Sequence, residues 1–200
     1  NTKLKQSQYP LATQYSVDYV VGNISKKMNL EEDILLMYIT SHGSKQATVT
    51  FDHNAIKMND LSAKYLADIL EKNSVKRKIL MISACYSGSF IEPLKSDNTL
   101  IITSASDKDT SFGCADDSEM TWFAKAFFEE GDGNVLDFVN RFHIATKKVT
   151  QWEKQKDYEA SNPQIYCSAD IVDYLNVKIL NRSQVFDEKL CNNKPWWQFW

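Results

Sequence analysis

Four cysteines in 200 residues, Cys85, Cys114, Cys167 and Cys191, are too few and too scattered for a disulfide framework. None stands in a C-x-x-C pair, so nothing suggests a zinc site or dithiol chemistry, and no motif asks for a metal or a cofactor. Cysteine usage therefore leaves the compartment open. No apolar run approaches the roughly 18–20 residues that cross a bilayer, and the first residues do not form a signal peptide. Neither sign of charge dominates: 23 Lys and Arg face 26 Asp and Glu, interspersed, for a net charge of −3. With no basic stripe to release counterions from a polyanion, nucleic-acid binding is not expected. The chain opens on Asn1 rather than methionine, so the expectation is a piece of a longer protein, with any anchor upstream.

What is present is enough apolar material, 43%, for one buried core. Residues 1–12 are polar and expected to be mobile, 13–180 form the domain, and 181–200 are an extension ending in "KPWWQFW". From Thr13 to Met28, Val17, Val20, Val21, Ile24 and Met28 fall at helical spacing and predict one buried stripe. Ile34 to Ile39 is a continuous apolar run, the pattern of a central strand covered on both faces. "NDLSAKYLADILEKN" opens on cap residues and repeats Ala63, Leu66, Ala67 and Leu70 as a helix does. "KILMIS" and "TLIITS" predict two further buried strands.

"DDSEMTWFAKAFFEEG" predicts a helix with Met120, Phe123, Ala124, Phe127 and Phe128 inward and Gly131 as its stop. A long helix is expected from Val135 to about Tyr158, with Val135, Phe138, Val139, Phe142, Val149 and Trp152 inward, then a short strand in "NPQIYCS". This order predicts an α/β fold, a mostly parallel central sheet with helices on both faces.

Two strands end suggestively. One runs into "TSHGS", placing His42 before Gly43, and the other into "SACYSGS", placing Cys85 before a turn. Parallel sheets present functional groups just beyond their carboxyl ends. The small residues Ser41, Gly43, Ser44, Ala84 and Gly88 leave room there for a substrate backbone. A thiol, an imidazole and the N–H groups of Gly43 and Cys85 make the set that acyl transfer requires. Taken singly, Cys85 fits a buried small hydrophobe equally well, and His42 fits a structural residue. Only their pairing favours chemistry.

The blocks "YITSHGS" and "ISACYSGSF" resemble the His-Gly and Ala-Cys blocks of legumain-type (asparaginyl endopeptidase) cysteine peptidases of the caspase-like clan. "LIITSASDKDTSFGCADDSEMTWFAKAFFEE" is similar to the segment lining that family's primary specificity pocket. The resemblance spans roughly Pro10 to Ser168 and is nearest a bacterial branch, whose domains are often preceded by membrane segments. It implies a caspase-like three-layer α/β/α sandwich. It also implies Cys85 as nucleophile, His42 as general acid and base, and Gly43 with Cys85 as oxyanion donors. The implied partner is a peptide or protein substrate, cleaved after Asn or Asp, and the implied setting is a bacterial cell envelope with a membrane tether upstream.

Two features depart from the family pattern. Ser83 stands where legumains carry an acidic residue, and nothing in Asn1 to Ala12 resembles the first strand with its basic pocket residue. Ser41, Ser83 and Ser111 are the substrate-pocket candidates; Ser111 serves equally well as a helix-start residue. Asp116 and Asp117 fit a helix N-terminus better than a pocket. Cys114 is expected in the core, His53 in a solvated loop and His143 in a structural place on the long helix. Three readings stay open: endopeptidase, a transamidase or ligase using the same thioester, and an idle caspase-like binding module.

Overall fold

The computed structural model describes residues 10–53, 57–113, 120–130, 134, 136–181 and 191. Helix α1 (Gln14–Ser25) starts where the Thr13 side chain accepts the Ser16 N–H. Strand β1 (Ile34–Thr40) follows, then a small antiparallel sheet of β2 (Gly43–Ser44), β3 (Thr48–Val49) and β4 (Leu61–Ser62). Ser62 caps α2 (Ala63–Lys72), which leads into β5 (Arg77–Ser83). A 3-10 turn over Ser87–Phe90 runs into the short α3 (Ile91–Leu94), then β6 (Thr99–Thr103). Helices α4 (Trp122–Phe128) and α5 (Phe138–Lys156), strand β7 (Gln164–Cys167) and α6 (Ala169–Tyr174) follow, α6 running on into a π-helical turn over Leu175–Ile179.

The main sheet has the order β1-β5-β6-β7, with β1, β5 and β6 parallel and β7 antiparallel. Alternation along β5 sends Ile79 and Met81 to one face, Leu80 and Ile82 to the other. The first face packs on α4, α5 and α6 through Phe123, Phe127, Phe142 and Ile171. The second packs on α2 and α3 through Leu66, Ile69, Leu70 and Leu94, with Val21 of α1. The result is the three-layer α/β/α arrangement that the sequence predicts.

Four details differ from expectation. Strand β1 is an edge strand among the described residues: Leu36 is 53% and Tyr38 40% exposed. An apolar run records side-chain chemistry, not the number of strands beside it. The α1 stripe is narrower than predicted, since Val21 is buried while Val20 and Ile24 stay exposed along the same open flank. Helix α4 begins at its Thr121 cap, which accepts the Ala124 N–H, so Met120 lies outside it. Phe128 is exposed and meets the Tyr38 ring edge-on at 5.5 Å instead of entering the core.

A fifth difference concerns cysteine. Cys167 of β7 is disulfide-bonded to Cys191, both buried, with Cα atoms 5.3 Å apart. Sparse cysteines can still form one bridge, and pairing across 24 residues has no local signature. Cys114, Asp116, Asp117, Gly131, Val135, residues 1–9 and the aromatic tail lie outside the described residues. His53 is exposed, and His143 sits half-buried on α5 with its ring 5.4 Å from that of Phe142.

Candidate active site

Register brings the two strand-end blocks together. Thr40 of β1 pairs with Ser83 of β5, and the Ser41 N–H donates to Ser83 O at 3.3 Å, carrying the pairing past the strand ends. Continued in parallel, the next steps set His42 beside Cys85. Gly43 then packs directly on the nucleophile candidate's backbone. A Cβ at position 43 would fall 2.1 Å from Cys85 O and 3.0 Å from Ala84 Cβ, so the glycine is required by close approach. The Thr50 N–H donates to His42 O at 2.9 Å, making 42 and 50 a bonded pair of the small sheet. By the antiparallel alternation 43 and 49 are then a non-bonded pair, which leaves the Gly43 N–H outside that ladder. His42 is exposed and Cys85 half-buried, a free thiol.

The thiol is mounted by serines that the sequence reading passed over. Ser104, at the exit of β6, accepts the Ala84 N–H (3.0 Å) and donates to Ala84 O (3.2 Å). Reciprocally, Ser87 accepts the Ala105 N–H (3.1 Å) and donates to Ala105 O (3.4 Å). Both hydroxyls are fully buried and lock the turns after β5 and β6 to each other. Between them Tyr86 adopts the left-handed conformation, φ 57 and ψ 20, at a cost of about 1–2 kcal/mol for a residue with a Cβ. Its N–H donates to Asp109 O at 2.8 Å, and Lys45 Nζ lies 5.4 Å from its ring centroid. A strand followed by one left-handed residue and a 3-10 turn thrusts Cys85 out at the sheet edge.

The three pocket candidates fare differently. Ser111 is the one at the thiol: its backbone N–H donates to Cys85 Sγ at 3.3 Å and its carbonyl lies 3.6 Å from the same sulfur. Ser83 is buried beneath, its hydroxyl 2.7 Å from that of Thr121. Thus the position at which legumains carry an acid is here one half of a neutral hydroxyl pair. Thr121 was missed because the sequence placed it inside a helix rather than at its cap. Ser41 turns its hydroxyl to Thr50 O at 2.6 Å, bracing the His42 loop.

Behind the thiol, the 105–111 loop is held to the residues after α5. The Ser106 N–H donates to Ser161 O (2.9 Å), and Asn162 Nδ2 donates to Asp109 Oδ2 (2.8 Å). Ser161 in turn gives its N–H to Glu153 Oε1 at 3.0 Å. Burial raises the Glu153 carboxyl above its ordinary range, the Ser161 contacts oppose this, and the Asp109 charge adds to it. Among the described residues no group of His, Cys, Asp and Glu is arranged to hold a metal ion.

Comparison with known proteins agrees with this geometry. A family model described as the Peptidase C13 family matches residues 14–172. Legumain from Mus musculus is 26% identical over 159 residues, covering 66% of this chain and 36% of the relative, so the chain spans about a third of that protein's length. In fold, the chain is similar to the crystal structure of caspase-1 from Spodoptera frugiperda, with a TM-score of 0.53 at 18% identity over 80% of this chain and 69% of that one. The chain belongs to the Peptidase C13 family, the legumain-type cysteine peptidases, and carries their caspase-like fold.

Proposed function

We propose that the chain is a cysteine endopeptidase with Cys85 as nucleophile and His42 as general acid and base. The observation that carries this is the β1–β5 register, which sets the His42-Gly43 and Ala84-Cys85 blocks against each other at one sheet edge. His42 takes the Cys85 proton as sulfur attacks the scissile carbonyl, and the oxyanion forms against the Gly43 and Cys85 N–H groups. The same proton passes to the departing amine, leaving a thioester. Water then adds to the acyl carbon, its hydroxyl leaving with the product acid and its proton returning to sulfur. The Ser111 N–H contributes by donating to sulfur, which helps fix the position of the Cys85 side chain.

The residue before the scissile bond is a small polar one, Asn or Asp, by likeness to the asparaginyl branch. With Ser83 and Thr121 both neutral, the floor beneath Cys85 adds no charge to that choice. An electrophilic Asn or Asp peptide probe tests the assignment. Labelling of the wild type at Cys85, none in Cys85→Ala, and peptide hydrolysis lost in both Cys85→Ala and His42→Ala are expected. Equal labelling of wild type and Cys85→Ala removes Cys85 from the role. Amide product formed at the expense of acid on adding an amine marks the same thioester as a transfer intermediate.

A further inference from the structure

Immediately beyond Ser111 the chain builds an aromatic shelf. The Phe112 ring lies 4.8 Å from that of Tyr158 and 5.8 Å from that of Trp122. Trp122 and Tyr158 stack at 5.5 Å with their planes 12° apart, and Trp152 meets Trp122 edge-on at 6.2 Å. The shelf is fixed in place. The Trp122 N–H donates to Phe112 O at 3.1 Å, and Gly113, at φ 89, lies so close that a Cβ there would sit 2.7 Å from Trp122 N. The Tyr158 N–H donates to Glu153 O at 2.9 Å, just after Asp157 ends α5 in the left-handed conformation.

Two observations turn this cluster from packing into a binding surface. Tyr158 is 49% exposed, and Phe112, Trp122 and Trp152 are only partly buried, so part of the ring surface stays open to water although the rings cover one another's faces in part. The backbone next to Phe112 touches the nucleophile candidate, through Ser111 N–H and Cys85 Sγ. An extended peptide advances about 3.3 Å per residue. With its scissile carbonyl at Cys85, it therefore brings a neighbouring side chain within a few residues of the Ser111–Phe112 backbone, on which Tyr158 packs.

We propose that Phe112, Trp122 and Tyr158 form a specificity subsite for an apolar or aromatic side chain of the peptide substrate, one to three residues from the scissile bond. This rests on the peptidase reading and names the substrate class that reading leaves open. The exposed part of this ring surface rewards a stacked or edge-on apolar partner and gives a carboxylate no compensation for lost water.

The test is a peptide series with the residue before the scissile bond held constant. Phe, Leu, Gly, Asp or Arg is placed in turn at every other position within three residues of the scissile bond. Values of kcat/KM are measured for wild type, Tyr158→Ala, Phe112→Ala and Tyr158→Phe. One position is expected at which Phe or Leu exceeds Gly by about tenfold, the worth of a good aromatic contact. That ratio falls to within about twofold in Tyr158→Ala and Phe112→Ala and survives in Tyr158→Phe. Because each ratio is taken within one protein, a general loss of folding cannot imitate the result.

No position with an apolar preference, a preference unchanged in both alanine variants, or a preference for Arg or Asp there overturns the subsite. Binding of the same peptides to Cys85→Ala, followed by fluorescence anisotropy with and without Tyr158→Ala, separates this claim from the peptidase reading. Phe-selective binding lost with Tyr158, in a protein whose wild type cleaves no peptide, sinks the peptidase reading and keeps the subsite. Cleavage without such selectivity does the reverse.

Discussion

From Ile79 to Ser83 every residue of β5 is buried, whereas its parallel neighbour β1 leaves Leu36 and Tyr38 largely in water. The two strands run in register and end in the two groups assigned to catalysis, yet their surroundings differ. Beyond β5, two serine clamps and a left-handed Tyr86 hold the Cys85 turn on β6. Beyond β1, the His42 loop is held by lighter contacts, Thr50 N–H to His42 O and Ser41 to Thr50 O. The backbone of the proposed nucleophile is thus set by the core, and the imidazole arrives on an exposed loop. Such a division suits a site in which the oxyanion donors must be fixed while the proton carrier adjusts to the substrate.

Beside the Ser41 N–H to Ser83 O bond, the close approach of Gly43 to Cys85 ties the two halves together, and breaking it has the largest expected effect. Gly43→Ala puts a Cβ 2.1 Å from Cys85 O, so one backbone or the other has to move. A displacement near 1 Å at a reacting centre costs about 100-fold in rate. The expected outcome is a loss of kcat/KM of that size, with the fold retained by circular dichroism. Activity within a few-fold of wild type would show that the two blocks do not depend on each other.

The contrast between the strands themselves is sharpened by a matched pair of truncations. Leu80 of β5 is fully buried, and Leu80→Ala is expected to cost about 2–5 kcal/mol in denaturant unfolding. Leu36 of β1 is 53% exposed, and Leu36→Ala is expected to stay within about 0.5 kcal/mol. Comparable losses would mean that β1 is as well covered in solution as β5.

The same contrast explains what was legible in the sequence. The β5 and β6 strands, the amphipathic α2 and α5, and the pairing of "TSHGS" with "SACYSGS" followed from local pattern, because each is a property of a few consecutive residues. The exposure of β1 was not legible, since it depends on which strands lie beside it. Nor were the Ser104 and Ser87 clamps, whose partners are about 20 residues away and whose residue type is common in any loop. Thr121 was hidden by a helix boundary drawn too early, although Thr before Trp-Phe-Ala is a readable cap. The Cys167–Cys191 bridge had no local sign at all.

The smallest expected effect concerns how far the support of the thiol extends. Glu153 holds the Ser161 N–H, Ser161 holds Ser106, and Asp109 in the same loop holds the Tyr86 N–H beside Cys85. Burial raises the Glu153 carboxyl above its unfolded value, so the folded state prefers the proton. Its stabilising contribution is therefore complete below the unfolded value and is lost as pH rises through the folded one. Where the carboxyl is ionised, the wild type keeps that charge in a poorly solvated place. Glu153→Gln leaves an oxygen to accept the Ser161 N–H and removes that charge. Its Tm is expected to exceed that of wild type slightly at pH 7, and the gap to close as pH falls into the ordinary carboxyl range. If the variant instead melts lower at pH 7, the carboxylate's charge is needed to hold Ser161. The backbone support of Cys85 then reaches by an ionic link to α5 rather than ending at the serine clamps.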